Sequence, residues 1–127
     1  MASKSTVVLY RPVGQSELDA IRISDWKAFP PRESRQQMFC PLLAEQDAVR
    51  IARDWIAHDA RYGYAGYVVK FRVSSTHLKR FEVNAMGRKD AREHWVPSKD
   101  LGDFNDHIVG RIEVIHEFRG EKSARRP

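Results

Sequence analysis

The spacing of apolar residues changes period part-way along this chain, and no other feature restricts the fold as much. From Leu43 to about Ala60, Ala44, Ala48, Ile51, Ala52 and Trp55 recur at steps of three and four, with Arg50, Arg53 and Asp54 on the other side. That is the period of an amphipathic helix. After a turn at "RYGYAG" (61–66), "YVVKFRV" (67–73) switches to strict alternation, with Tyr67, Val69, Phe71 and Val73 on one face and Val68, Lys70 and Arg72 on the other. A period of two predicts a half-buried strand. "GRIEVIHEF" (110–118) alternates in the same way, Ile112, Val114, His116 and Phe118 against Arg111, Glu113, Ile115 and Glu117. It is expected to be the last strand, with His116 a core histidine bonded to backbone.

Shorter elements fill in the rest. "TVVLYR" (6–11) reads as a first strand ended by Pro12 and Gly14, and "SELDAIRI" as a helix with Ser16 as N-cap and Asp19 at the capping-box spacing. "WKAF" (26–29) and "QQMFC" (36–40) are expected strands, each stopped by proline, around the polar loop "PPRESR". "STHLKRF" predicts one helical turn, "FEVNAM" a strand, "GRKDAR" a charged loop, "EHWVP" (93–97) a strand, and Ser98 the cap of a helix reaching about His107. Strands and helices mix without the regular alternation of a doubly wound fold, so the expected class is α+β, with mixed or antiparallel sheets and a few helices.

A chain of 127 residues is long enough for one core and too short to suggest two. One domain is expected over residues 1–118, followed by a basic tail at 119–127. The formal charge is +5, and the tail "RGEKSARRP" carries +3 of it, leaving +2 for residues 1–118. A basic tail is compatible with nucleic-acid binding, and a solubilising end is the plainer reading. The lone Cys40 cannot close an internal disulfide, "MASKSTVVLYRP" lacks the apolar run of a signal peptide, and no segment approaches membrane-spanning length. The expected location is cytoplasmic, with no membrane partner.

Several chemistries lack their motifs. His58, His77, His94, His107 and His116 include no pair at the helical spacing of a zinc site, and there is no CxxC. No metal is therefore expected. The glycines form neither GxGxxG nor GK[ST], GxSxG is missing, and Cys40 in "MFC" reads as a buried, inert thiol.

Two short motifs remain. "LYR" ends the first strand with Arg11, and "EHWVP" sets Glu93 just before an apolar strand closed by proline. In this order they resemble the ADP-ribosyltransferase superfamily. Over nearly the whole chain, through "LYRPVGQSEL", "AFPPR", "MFCPLLAEQDAVRIARDW", "GYAGYVVKF" and "EHWVPSKDLGDFNDHIVGRIEVI", the sequence is similar to small uncharacterised bacterial proteins labelled ADP-ribosylation/crystallin J1-like. The resemblance implies a compact ADP-ribosyltransferase-like fold and transfer of ADP-ribose from NAD, or cleavage of NAD, with a macromolecular acceptor as partner. Glu93 would face the positive charge that builds on the ribose as nicotinamide leaves. Arg11, and secondarily Arg32, would hold a phosphate or ribose oxygen of NAD or a related nucleotide. Tyr62, Tyr64 and Tyr67 could stack on nicotinamide, or simply pack in core and turn. Two departures are plain. The Ser-Thr-Ser expected after the Phe39 strand is replaced by "CPLL", and Ala91 stands two before Glu93 where an acidic or amide residue belongs. They support an alternative, a catalytically inactive scaffold acting as a protein-binding or regulatory module.

Overall fold

The computed structural model describes residues 5–31, 38–81, 83–85 and 92–120. Its centre is a three-stranded antiparallel sheet of β1 (Thr6–Val13), β3 (Ala65–Ser74) and β7 (Ile108–Arg119), in the order β1-β3-β7. Two further antiparallel pairs join β2 (Met38–Phe39) to β6 (Val96–Pro97) and β4 (Val83–Ala85) to β5 (Arg92–His94). The helices are α1 (Gln15–Ile23), α2 (Glu45–Asp54), α3 (Ser75–Leu78) and α4 (Leu101–Asp106). The class is α+β with antiparallel sheets. No helix among the described residues is long and apolar enough to cross a membrane.

β3 lies in the middle of the sheet with both edges paired, and from Ala65 to Val69 it is buried on both faces. Val69, Phe71 and Val73 enter the larger core with Leu9, Phe29, Phe39 and Phe104, while Val68 packs with Leu42, Ala48 and Ala52 under α2. The larger core is built on tilted and edge-to-face aromatics: Phe29 lies 4.8 Å from both Phe39 and Phe71, and Phe104 lies 5.4 Å from Phe39. The helix α2 presses on β3 so closely that a Cβ on Gly66 would stand 2.3 Å from the Ala52 carbonyl oxygen.

Several expectations change. Ser98 begins a 3-10 turn and caps no helix, and α4 starts only at Leu101. The helical pattern at 43–60 yields α2 only to Asp54, followed by 3-10 turns at Ile56–His58 and Ala60–Tyr62. Trp55 breaks the helix with φ −122° and is exposed rather than on the apolar face. Helix α1 starts two residues earlier than its capping pattern suggests: Gly14 rather than Ser16 occupies the cap position, and Asp19 binds Gln15 and Arg22 instead. "WKAF" is not a strand. There the Ser24 hydroxyl accepts from the amides of Lys27 and Ala28, Asp25 and Trp26 take positive φ, and the Asn105 side chain bonds both backbone groups of Phe29 at 3.0 Å.

A further change is in β7. Its pairing with β3 slips twice, between Val68 and Val69 and between Lys70 and Arg72, so the alternation read from the sequence does not survive along the strand. Ile112 is buried, but Val114 is exposed and His116 is half-exposed, its Nε2 2.7 Å from the Glu45 carboxylate instead of in the core. The strand runs on through Arg119, opposite Ala65, and the Gly120 amide donates to the Tyr64 carbonyl.

Candidate functional site

Arg11 stands near the end of β1, where the chain turns into α1, and this placement gives it a partner from the helix's first turn. Its Nε and Nη2 donate to the two carboxylate oxygens of Glu17 at 2.7 and 3.0 Å, a bidentate pair with side chains only 12 and 19% exposed. The guanidinium also lies 4.7 Å from the centre of the Phe39 ring. Burial pulls its pKa down, but the charge and hydrogen bonds of Glu17 outweigh that and hold it above the ordinary arginine value.

This pair forms one wall of a cleft of about 590 Å³ whose other sides include Gly14, Ser16, Pro30, Pro31, Arg61 and Tyr62. The volume falls in the range of small-molecule and cofactor sites. Gly14 is required there, because a Cβ would sit 2.5 Å from the Tyr62 ring. The first turn of α1 has no side-chain cap: the Gly14 carbonyl accepts from the Leu18 amide, and the amides ahead of Leu18 point toward this end of the helix. Arg61, at the cleft's rim, is exposed and paired with Asp59 at 2.7 Å. Of the three tyrosines, Tyr62 lines the cleft, whereas Tyr67 is buried and donates its hydroxyl to Gln15 at 2.7 Å.

Glu93 is placed elsewhere. The pairs Met38–Pro97, Phe39–Val96 and the isolated bridge Leu42–Glu93 share a single register, and Leu42 also exchanges both backbone hydrogen bonds with Tyr10. Residues directly opposite on a ladder share a face, and faces alternate along each strand. Tyr10, Leu42 and Glu93 therefore share one face, while Arg11 takes the other, with Phe39. Glu93 is buried, its carboxylate accepts from the Trp95 indole at 2.8 Å, and it does not line the Arg11 cleft. Trp95 lies two residues on, on the same face, as alternation requires. Arg32 and Ala91 lie outside the described residues.

The segment "CPLL" has become a connector. Leu42 is 1% exposed and its backbone joins β1 to the segment carrying Glu93, so this residue contributes hydrocarbon and main chain where hydroxyls were sought. Cys40 is half-buried rather than fully enclosed.

One constellation escaped the sequence search. His77 of α3 meets Asp103 of α4 and His107, the residue that ends α4, with one donor atom of each within 4.8 Å of the others. A search confined to histidine pairs passes over it, although Asp103 and His107 stand at the i, i+4 spacing. His77 joins them only through the fold. Comparison with protein-family models, with curated proteins and with solved structures finds no match.

Proposed function

We propose that this chain is an ADP-ribosyltransferase-like scaffold that binds NAD or a related phosphate-bearing nucleotide at the Arg11 cleft and does not cleave it through Glu93. The observation that carries this reading is the cleft itself, where Arg11, Arg61, Ser16 and Tyr62 surround the uncapped start of α1. A phosphate there would meet two guanidinium groups, a hydroxyl and the positive end of a nine-residue helix. Glu17 engages only one edge of Arg11, its Nε and one Nη. The ring of Tyr62, 37% exposed, offers a surface for a base or nicotinamide. Chemistry at the ribose would need a carboxylate facing the same space, and Glu93, bridged to Leu42, does not line the cleft.

Titration calorimetry with NAD and ADP-ribose tests this, alongside an assay for released nicotinamide. Saturable binding is expected, weakened by about tenfold or more in Arg11→Lys, because lysine supplies no planar fork. Glu93→Gln should bind as the parent does, and neither protein should release nicotinamide. Circular dichroism checks that both variants remain folded. Absence of saturable binding overturns the nucleotide reading, and nicotinamide release abolished by Glu93→Gln restores the transfer chemistry that the family resemblance implies.

A further inference from the structure

The side chains of His77, Asp103 and His107 lie outside the Arg11 cleft and have no part in the reading above. His77 is the constrained member: its side chain is 3% exposed, its ring packs against Phe81 and Phe104, and its amide is held by the Ser74 hydroxyl. Its Nε2 is buried without a hydrogen-bond partner. The nearest carboxylate oxygen, of Asp103, is 3.9 Å away, beyond hydrogen-bonding distance. Buried imidazole nitrogens are ordinarily satisfied, so an unpartnered one aimed at a carboxylate and a second imidazole calls for a ligand.

The other two members face solvent, Asp103 46% and His107 42% exposed. The His107 ring stacks on His77 with centroids 3.9 Å apart and planes 2° from parallel, and its Nδ1 is 2.8 Å from the Asp103 carbonyl oxygen.

We propose that His77, Asp103 and His107 form a binding site for a late first-row divalent metal ion such as zinc or cobalt. Two imidazoles and one carboxylate are the donors these ions prefer, and three protein ligands leave a coordination position for water. Bonds of about 2.0–2.2 Å place tetrahedral donors roughly 3.5 Å apart, so the present separations must shorten by about 1 Å. Imidazole lone pairs lie in the ring plane, so the His107 ring must also turn out of its stack on His77; exposed as they are, His107 can make that turn and Asp103 can close the gap while His77 stays fixed. One group opposes the ion: Arg80, whose Nη1 is 2.8 Å from Asp103 Oδ2. An incoming metal must take that oxygen from Arg80.

The test uses the full chain without an affinity tag. Cobalt(II) chloride is titrated while visible absorption is recorded, with zinc chloride followed by calorimetry. One ion per chain is expected, with cobalt bands of an ordered low-coordination site, and binding weakened about tenfold or more in His107→Ala and in Asp103→Asn. Arg80→Ala should bind more tightly than the parent, a result that adventitious ions elsewhere on the surface would not give. Circular dichroism confirms that each variant is folded. The proposal is overturned if the parent binds no ion, if either ligand variant loses less than that, or if Arg80→Ala leaves the affinity unchanged.

Discussion

Replacing Glu17 by methionine separates the Arg11–Glu17 pair from everything else the cleft contributes. The substitution keeps the length of the side chain and removes both acceptors, leaving a guanidinium 12% exposed over the Phe39 ring. Breaking a buried pair by removing one partner costs about 3–5 kcal/mol, against about 0–1 for an exposed pair. Because the two side chains keep 12 and 19% of their exposure, water still screens the remaining charge, and the low end applies, about 3 kcal/mol. For a chain of this size that corresponds to a fall in Tm of about 10–15 °C. The companion variant, Arg11→Met with Glu17→Met, removes both charges and leaves hydrocarbon against Phe39, so it should recover most of the loss. Urea unfolding of the parent, both single variants and the double variant closes the cycle. A loss below about 1 kcal/mol for Glu17→Met would show that the pair behaves as a surface contact. The reasoning about a buried counter-ion would then fail.

Three further outcomes can be checked. Gly66→Ala drives a Cβ into the Ala52 carbonyl, 2.3 Å away, and should cost about 2–3 kcal/mol in urea unfolding; a neutral substitution would mean that α2 is free to move off β3. Asn105→Ala leaves the Phe29 amide and carbonyl without their side-chain partner and should cost about 2 kcal/mol, with faster hydrogen exchange at the Phe29 amide. His94, 7% exposed, has its pKa pushed down by burial, which a hydrogen bond to the Phe81 backbone only partly offsets. The unfolded chain then binds the proton more readily than the native one, so stability is retained above about pH 6.5 and falls as pH drops from there toward the lower native pKa, by up to about 1.4 kcal/mol per pH unit. His94→Gln should flatten that slope, and an unchanged slope would assign the effect to another group.

The limits of local reading show in particular residues. β3 was legible because "YVVKFRV" alternates and keeps one conformation throughout, and the start of α2 because its apolar spacing is long enough to show a period. β7 was legible as a strand but not face by face, since each slip in pairing reverses which side a residue takes, and a slip depends on the partner strand. Trp26–Phe29 looked extended because its composition suits a strand. Its hydrogen bonds are instead satisfied by the side chains of Ser24 and Asn105, one local and one 76 residues away.

The same division holds for chemistry. The amino-acid order by itself determined the α+β class, the position of Arg11 near the end of the first strand and the absence of hydroxyls at "CPLL", because each follows from residue type and near-neighbour spacing. Only the tertiary structure decided that Arg11 is locked to Glu17, that Glu93 faces away from it, and that His77 meets Asp103 and His107. Which side chains share a space depends on strand register and helix docking, which are set by burial of the whole core and which no short window of residues contains.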